Sequence, residues 1–111
     1  MAGKFELKQS ASGQFMFNLK AANGQVVLTS ELYQDKGAAQ DGIASVRKYA
    51  GADANYERKT SKKGEPFFVL KAVNGQTIGK SEMYASTSSM QKGIESVKAN
   101  AADAAIVDLT A

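Results

Sequence analysis

The chain has 111 residues, 43% of them hydrophobic, which suits one compact domain with a buried core. It contains no cysteine and no histidine, which excludes disulfides, thiolate chemistry and histidine-based metal or acid–base sites. The net charge of +3 is mild and spread along the chain, unlike a basic nucleic-acid-binding tail. The start lacks the apolar segment of a signal peptide and no apolar run is long enough for a membrane span, so we expect a cytoplasmic protein without cofactor or metal.

The first predicted elements are three antiparallel strands. Residues 5–8 alternate apolar and polar side chains, as a half-buried strand does, and residues 15–21 continue the alternation. Between the second strand and the third, at residues 25–29, lies Asn23-Gly24. This pair predicts a type I′ turn, in which both central residues have positive φ.

A helix follows the third strand. Asp35 can cap it by accepting a backbone N–H, and the helical pattern runs to about Tyr49. Apolar residues at helical spacing form one face, and Gly42 lies beside that face. Glycine is unfavourable inside a helix, so Gly42 indicates either a close approach of helix and sheet or a tolerated glycine near the helix start.

The whole pattern is written twice, with an offset of 51 residues. Asn23-Gly24-Gln25 returns as Asn74-Gly75-Gln76, and Ser30-Glu31-Leu32-Tyr33 returns as Ser81-Glu82-Met83-Tyr84. Residues 5–50 align with residues 56–101 without a gap, so Ser86 occupies the capping position of Asp35 in the second copy and can cap the second helix. We therefore predict a single domain of two repeats, at about 4–53 and 55–104, packed about a pseudo-two-fold axis.

The tail supplies the first strand of an incomplete third copy. A second shift of 51 places residues 107–109 on residues 56–58, so a closing strand is predicted at about 105–109. This strand follows the second helix, just as residues 54–59 follow the first. By symmetry, each of these strands is expected to cross into the sheet of the other half.

The residues that recur in both copies resemble the YegP-like family, small bacterial proteins of unknown function. In the first copy they are Gly13, Asn23-Gly24-Gln25, Ser30-Glu31, Tyr33, Gly42-Ile43 and Ser45-Val46. The resemblance covers nearly the whole chain. It implies an α+β fold, a tandem duplication of a βββαβ unit with an antiparallel sheet, two helices and exchanged C-terminal strands. It also implies a monomer, because a tandem chain is its own dimer, and it brings no known reaction, ligand or cofactor.

The Ser-Glu-x-Tyr segments are the first candidate site. Glu31, Tyr33, Glu82 and Tyr84 lie at the strand-to-helix connections, where binding and catalytic residues often occur. Two glutamates related by a pseudo-axis would offer an acid pair. Alternatively the motif is structural, since serine satisfies turn backbone groups and tyrosine packs its ring.

The outward face of the central strands is the second candidate. Met16 and Phe67 are expected to point away from the core, with Val69, Val26 and Leu28 nearby. If helices cover only one side of the sheet, these residues form an exposed apolar patch of the kind that marks partner surfaces. The alternative is that the other half of the molecule covers them.

A basic strand edge is the third candidate. Arg58, Lys59, Lys62 and Lys63 are followed by Lys71 and Lys80, with Tyr56 and Phe67 close in sequence. Such a set can bind single-stranded nucleic acid by charge and stacking. Alternatively, it is a solvated edge strand protected by lysines.

These candidates give three functional hypotheses. The favoured one is a non-catalytic interaction module for a protein or peptide, which an exposed apolar sheet face would support. The alternative is nucleic-acid binding through the basic edge, which a continuous positive surface would support. The second alternative is an enzyme or ligand site at the twin Ser-Glu-x-Tyr loops, which glutamates converging in a shared pocket would support.

Overall fold

The computed structural model describes residues 3–110, which contain one seven-stranded sheet and two α-helices. The strands are β1 (Lys4–Gln9), β2 (Phe15–Lys20), β3 (Val26–Ser30), β4 (Tyr56–Thr60), β5 (Pro66–Lys71), β6 (Thr77–Lys80) and β7 (Ala105–Asp108). The helices are α1 (Lys36–Tyr49) and α2 (Thr87–Ala101). Asp35 and Ser86 cap the two helices as predicted, accepting the N–H groups of Ala38 and Ser89.

The strand order is β4-β5-β6-β3-β2-β1-β7. Strand β7 follows α2 but pairs with β1 of the first half, and β4 follows α1 but pairs with β5 of the second half. The predicted exchange of closing strands is therefore confirmed. The sheet is antiparallel except for the β1–β7 pair, which is parallel. This pairing protects the edge of β1, whereas β4 forms the opposite edge of the sheet.

The hairpin turns differ from the prediction. Gly24 has φ 86° and donates its N–H to the carbonyl of Ala21, but no non-glycine residue within residues 3–110 has a positive φ. The predicted type I′ turn at Asn23-Gly24 is therefore wrong, because that turn requires positive φ at both positions. The geometry is that of a three-residue loop ending in one left-handed glycine. Asn23 instead accepts the N–H of Gln25 through its side chain.

One face of the sheet carries the core. Alternate side chains of β1, β2 and β5 are fully buried there against both helices, in one continuous cluster. Helix α1 packs on β2 and β6, whereas α2 packs on β5 and β3, so each helix covers strands of both halves. Two helices on one side leave the other face of the sheet without a covering helix or strand within residues 3–110.

The two halves meet at β3 and β6. Thr29 pairs with Lys80, its own counterpart in the repeat, so the pseudo-two-fold axis passes between these two residues. The adjacent positions Leu28 and Gly79 are also counterparts. A β-carbon on Gly79 would lie 2.8 Å from Cγ of Leu28, so only one of the two positions can carry a large side chain. The chain breaks its symmetry where the copies touch.

Candidate binding surface on the open face of the sheet

The serines of the Ser-Glu-x-Tyr loops are used by the fold. The hydroxyl of Ser30 accepts the N–H of Phe17 at 2.9 Å and donates to the carbonyl of Glu31 at 2.8 Å. Ser81 repeats both bonds at the same distances with the equivalent backbone groups. Each hydroxyl therefore replaces a ladder bond where the chain leaves the sheet, which is the structural interpretation of these residues.

The tyrosines pack between sheet and helix. The ring of Tyr33 stacks 6.4 Å from that of Phe17, and Tyr84 stacks 6.3 Å from Phe68. Burial, with a smaller contribution from the neighbouring glutamate, raises the pKa of each tyrosine hydroxyl. Both phenols are therefore neutral around pH 7 and are poor candidates for a base.

The helix glycines make room for these tyrosines. A β-carbon on Gly42 would lie 2.4 Å from the Tyr33 hydroxyl and 3.0 Å from the Phe17 ring. At Gly93 the corresponding distance to the Tyr84 hydroxyl is 2.2 Å. Of the two interpretations of Gly42, close approach of helix and sheet is the one this geometry supports.

Gly42→Ala is expected to destabilise the protein. The overpacking cost of about 1–3 kcal/mol exceeds the gain of about 1 kcal/mol in helix propensity. Gly37→Ala in the same helix is the matched control, since its β-carbon would meet only Asp35, at 3.4 Å. Chemical unfolding of both variants checks this, and equal stabilities for the two would contradict the packing explanation.

The glutamates of the motif lie in open surroundings. Glu31 and Glu82 are exposed and both border a shallow depression of about 310 Å³ beside the pseudo-axis. No hydrogen bond or ion pair joins their carboxylates to each other or to a cation within residues 3–110. They do not form the paired, buried carboxylates that acid–base chemistry would need.

Two further clefts are lined by equivalent elements of the two halves. One, of about 480 Å³, lies between the Glu31–Tyr33 loop, α1 and the hairpin of the second half, and it includes Asp41. The other, of about 520 Å³, lies between the Glu82–Tyr84 loop, α2 and the hairpin of the first half, and it includes Lys92. Each cleft combines both halves, but the charge at the equivalent position is reversed.

The residues of the predicted basic edge lie in different places: on the helix side of the sheet, in the β4–β5 turn and on the outer face. Arg58 lies on the helix side, where it donates to the carboxylate of Asp53 at 3.0 Å and to Gln91 at 2.8 Å. Tyr56 is also on that side, buried, and its hydroxyl donates to the carbonyl of Ala50. Neither residue faces the outer side of the sheet, so the predicted set is split between the two faces. Lys62 and Lys63 are exposed in the β4–β5 turn. Lys59 points to the outer face, together with Lys71, Lys80 and Phe67.

The open face of the sheet is polar. A row of directly paired residues crosses all seven strands: Glu57, Val69, Lys80, Thr29, Asn18, Glu6 and Val107. Met16 and Phe67 lie on this face as predicted, paired with Lys8 and Lys59 and half-buried beside them. Leu28 does not: it pairs with Leu19 on the core side and is fully buried. The face is thus uncovered, but it is not an apolar patch.

Lysines dominate this face. Six of them, Lys4, Lys8, Lys20, Lys59, Lys71 and Lys80, accompany two glutamates, Glu6 and Glu57, a net charge of +4. We call these eight residues and the row between them the lysine face. Sequence reasoning did not include the lysines of β1 and β2 in any candidate site. The alternation of Lys4 and Lys8 with inward Phe5 and Leu7 nevertheless places them on the outer face.

The two glutamates are anchored by lysines. Glu6 lies 3.0 Å from the ammonium of Lys20, 3.4 Å from that of Lys4 and 3.6 Å from that of Lys8. The hydrogen bond from Lys20 lowers the pKa of Glu6, against an opposing effect of burial. Glu57 has the equivalent bond from Lys71 at 2.7 Å, which lowers its pKa as well. Each carboxylate therefore positions the lysines around it, and the lysines of this face still outnumber the glutamates.

Glu6→Gln is expected to lower the melting temperature by about 4 °C near pH 7. Because the folded-state pKa of Glu6 is depressed, its contribution is present above the ordinary carboxyl pKa of 4.5 and is lost as the pH falls through the folded-state value. The variant and the natural chain should therefore converge in strong acid.

Glu57→Gln is the matched control for Glu6→Gln. Its side chain is 46% exposed, against 10% for Glu6, because Glu57 is on an edge strand while Val107 lies beside Glu6. The control should show a smaller loss. An equal loss for both, or a loss at Glu6 that persists in strong acid, would contradict this account of the ion pairs.

The centre of the lysine face is not symmetric. The Lys80 ammonium lies 5.1 Å from the centroid of the Phe67 ring, a cation–π contact. No carboxylate within residues 3–110 forms a salt bridge with Lys80. The counterparts of these residues are Thr29 and Met16, and Thr29 accepts a hydrogen bond from Asn18 instead. The second half therefore carries an aromatic ring and an unpaired cation that the first half lacks.

The comparisons with known proteins agree with the duplicated fold. The family model described as "Domain of unknown function (DUF1508)" matches residues 10–57 and again residues 61–108. A UPF0339 protein of Mannheimia succiniciproducens is 56% identical over 108 residues, which is 97% of this chain and 96% of that protein. Within residues 3–110, neither helix is long and apolar enough to cross a membrane.

Two solved structures show the same fold. The solution structure of YegP from E. coli, titled a protein of unknown function, has a TM-score of 0.94 at 51% identity and covers 99% of this chain and 95% of its own. A UPF0339 protein from Shewanella oneidensis has a TM-score of 0.93 at 47% identity, and the match covers 99% of this chain and 93% of that protein. None of these names assigns a reaction. YegP is similar to this chain along its whole length, so the predicted resemblance is confirmed. The chain belongs to the DUF1508 family and carries the domain twice.

Proposed function

We propose that this protein is a non-catalytic binding module and that the lysine face binds an anionic macromolecule. The observation that carries the proposal is the segregation of charge. The lysine face has a net charge of +4, whereas the whole chain has +3, so all other residues together have −1. A surface of one sign raises the local concentration of ligands of the opposite sign.

The shape of the face favours a polymer over a small ligand. Seven strands at a spacing of about 4.8 Å give a surface about 29 Å wide, and all of its lysines except Lys80 lie toward one end or the other. Three of them surround Glu6 near one end, and two accompany Glu57 near the other. Only an extended anion reaches both groups at once.

A non-catalytic role is supported by how the motif residues are used. The hydroxyls of Ser30 and Ser81 bond to backbone groups, the tyrosines pack on helix glycines, and the glutamates are exposed. The hypothesis of a protein or peptide partner called for an apolar face. Since the face is cationic, the same module is better suited to an anionic partner. We expect the protein to act in the cytoplasm.

We also propose that the protein acts as a monomer. The pairing of β3 with β6 and the exchange of β4 and β7 place the contacts of a two-unit assembly inside one chain.

The proposal is tested by amide chemical-shift mapping with inorganic polyphosphate at low salt. Shifts are expected along the row that crosses the sheet, at Glu6, Asn18, Thr29, Val69 and Lys80. The solvent-exposed sides of the helices should not respond. The absence of any shift would overturn the proposal, and shifts confined to the turn at Lys62 and Lys63 would transfer binding to the strand edge.

A further inference from the structure

We infer that the anionic macromolecule is a single-stranded nucleic acid, with a base stacked on Phe67 and adjacent phosphates bound by Lys80 and Lys59. This inference rests on the proposed function and specifies its ligand. It depends on the one aromatic side chain of the lysine face.

Phe67 is placed as a stacking residue. Its ring is half-buried on the open face, and its direct cross-strand partner is Lys59. Lys80 lies over the ring at 5.1 Å, and Val69, 6% exposed, lies beside it on the same strand. A flat ring with cations on two sides matches the alternation of base and phosphate in a single strand, where bases stack on aromatic side chains and lysines track the backbone.

The two lysines beside the ring are held only by weak contacts. Lys80 has no salt bridge within residues 3–110, so the binding of a phosphate would have to replace only its cation–π contact with the ring. Lys59 lies 3.6 Å from Glu57, but that carboxylate is closer to Lys71, at 2.7 Å. Within this half of the lysine face, the two cations flanking Phe67 are thus less neutralised than Lys71.

The asymmetry of the repeats makes the inference specific. The counterparts of Phe67, Lys80 and Lys59 are Met16, Thr29 and Lys8. The first half therefore retains one cation but has neither the ring nor the central charge. Base stacking is expected in the second half only, while phosphate contacts extend over both. An acidic protein segment would use the same lysines but has no bases to stack, and in a duplex the bases are already paired and stacked.

The chain contains no tryptophan, so Phe67→Trp introduces a single tryptophan at the inferred stacking position, which can be excited at wavelengths that the four tyrosines do not absorb. An oligothymidylate of about ten nucleotides, within the usual site sizes, is expected to quench its emission. Inorganic polyphosphate, which has no bases, should displace the oligonucleotide without quenching. Met16→Trp places the same fluorophore at the equivalent position of the other half, and little quenching is expected there.

The outcomes separate the inference from the proposed function. If neither polyanion binds, both fall. If both bind and the two tryptophan variants respond equally, the lysine face binds anions but the stacking inference is overturned. Tighter binding of polyglutamate than of the oligonucleotide, at matched charge, would overturn it in favour of an acidic protein.

A second pair of variants uses residues that the fold already accepts. Phe67→Met and Lys80→Thr place the first-half residues at the equivalent second-half positions, so the fold should be kept. Phe67→Met is expected to weaken oligothymidylate binding about tenfold and to leave polyphosphate binding unchanged. Lys80→Thr should weaken both. Equal losses for both polyanions in Phe67→Met would overturn the role of the ring.

Discussion

Replacing Lys4, Lys8, Lys59 and Lys80 together with glutamine is expected to weaken polyanion binding by a factor on the order of 100 at moderate salt. These four lysines are the least tightly paired on the lysine face, since the shorter bonds to Glu6 and Glu57 come from Lys20 and Lys71. The fold should therefore survive, and fluorescence anisotropy of a labelled oligonucleotide measures the loss.

The control for this variant removes the same charge elsewhere. Lys48, Lys62, Lys63 and Lys92 lie on the helices and in the β4–β5 turn, and their replacement by glutamine lowers the net charge by the same four units. Affinity should change much less in the control. If both variants lose affinity equally, binding follows net charge and the lysine face has no special role. A selective loss in the control would assign binding to the turn.

Deletion of residues 104–111 is expected to destabilise the fold by about 3 kcal/mol, or roughly 12 °C in melting temperature. Strand β7 pairs with β1 over four positions, and Leu109 donates its N–H to the carbonyl of Leu7. Two further contacts hold the segment: Arg47 donates to the carbonyl of Ala104, and Lys36 pairs with Asp108. The hydrogen bond from Lys36, together with those from Thr110, lowers the pKa of Asp108 to about 2.

A chain that ends at Leu109 is the control for the deletion. It keeps the four β1–β7 pairs and the bond from Leu109, so its melting temperature should be close to that of the full chain. Calorimetry of the three chains decides the matter. If the chain that lacks residues 104–111 has the same melting temperature as the full-length protein, the closing strand contributes nothing to stability. The exchange of strands would then be incidental to stability.

Most of the fold follows from the repeat. The constant offset of 51 predicted both helices, six of the strands and, through residues 107–109, the seventh. The capping residues Asp35 and Ser86 were identified correctly because capping is local chemistry. The turn at Asn23-Gly24 was assigned the wrong type because the same two residues suit two hairpin loops, and the choice depends on how the flanking strands pair.

The site was less predictable because it depends on register and on neighbours. Alternation alone correctly assigned Met16 and Phe67 to the outer face. It wrongly grouped Leu28 with them, because a bulge in β3 shifts the alternation on that strand. Arg58 was grouped with Lys59 by sequence, although adjacent residues of a strand point to opposite faces. Lys4 and Lys20 are sixteen positions apart and meet around Glu6 only through the pairing of β1 with β2.

The salt dependence of oligothymidylate binding to the natural chain tests the central claim most directly. If all six lysines of the lysine face contact phosphates, the logarithm of the association constant should fall with the logarithm of salt concentration with a slope of about −4. A fourfold rise in salt would then reduce the affinity by a factor of about 300. A slope near zero, or no measurable binding even at low salt, would contradict the account.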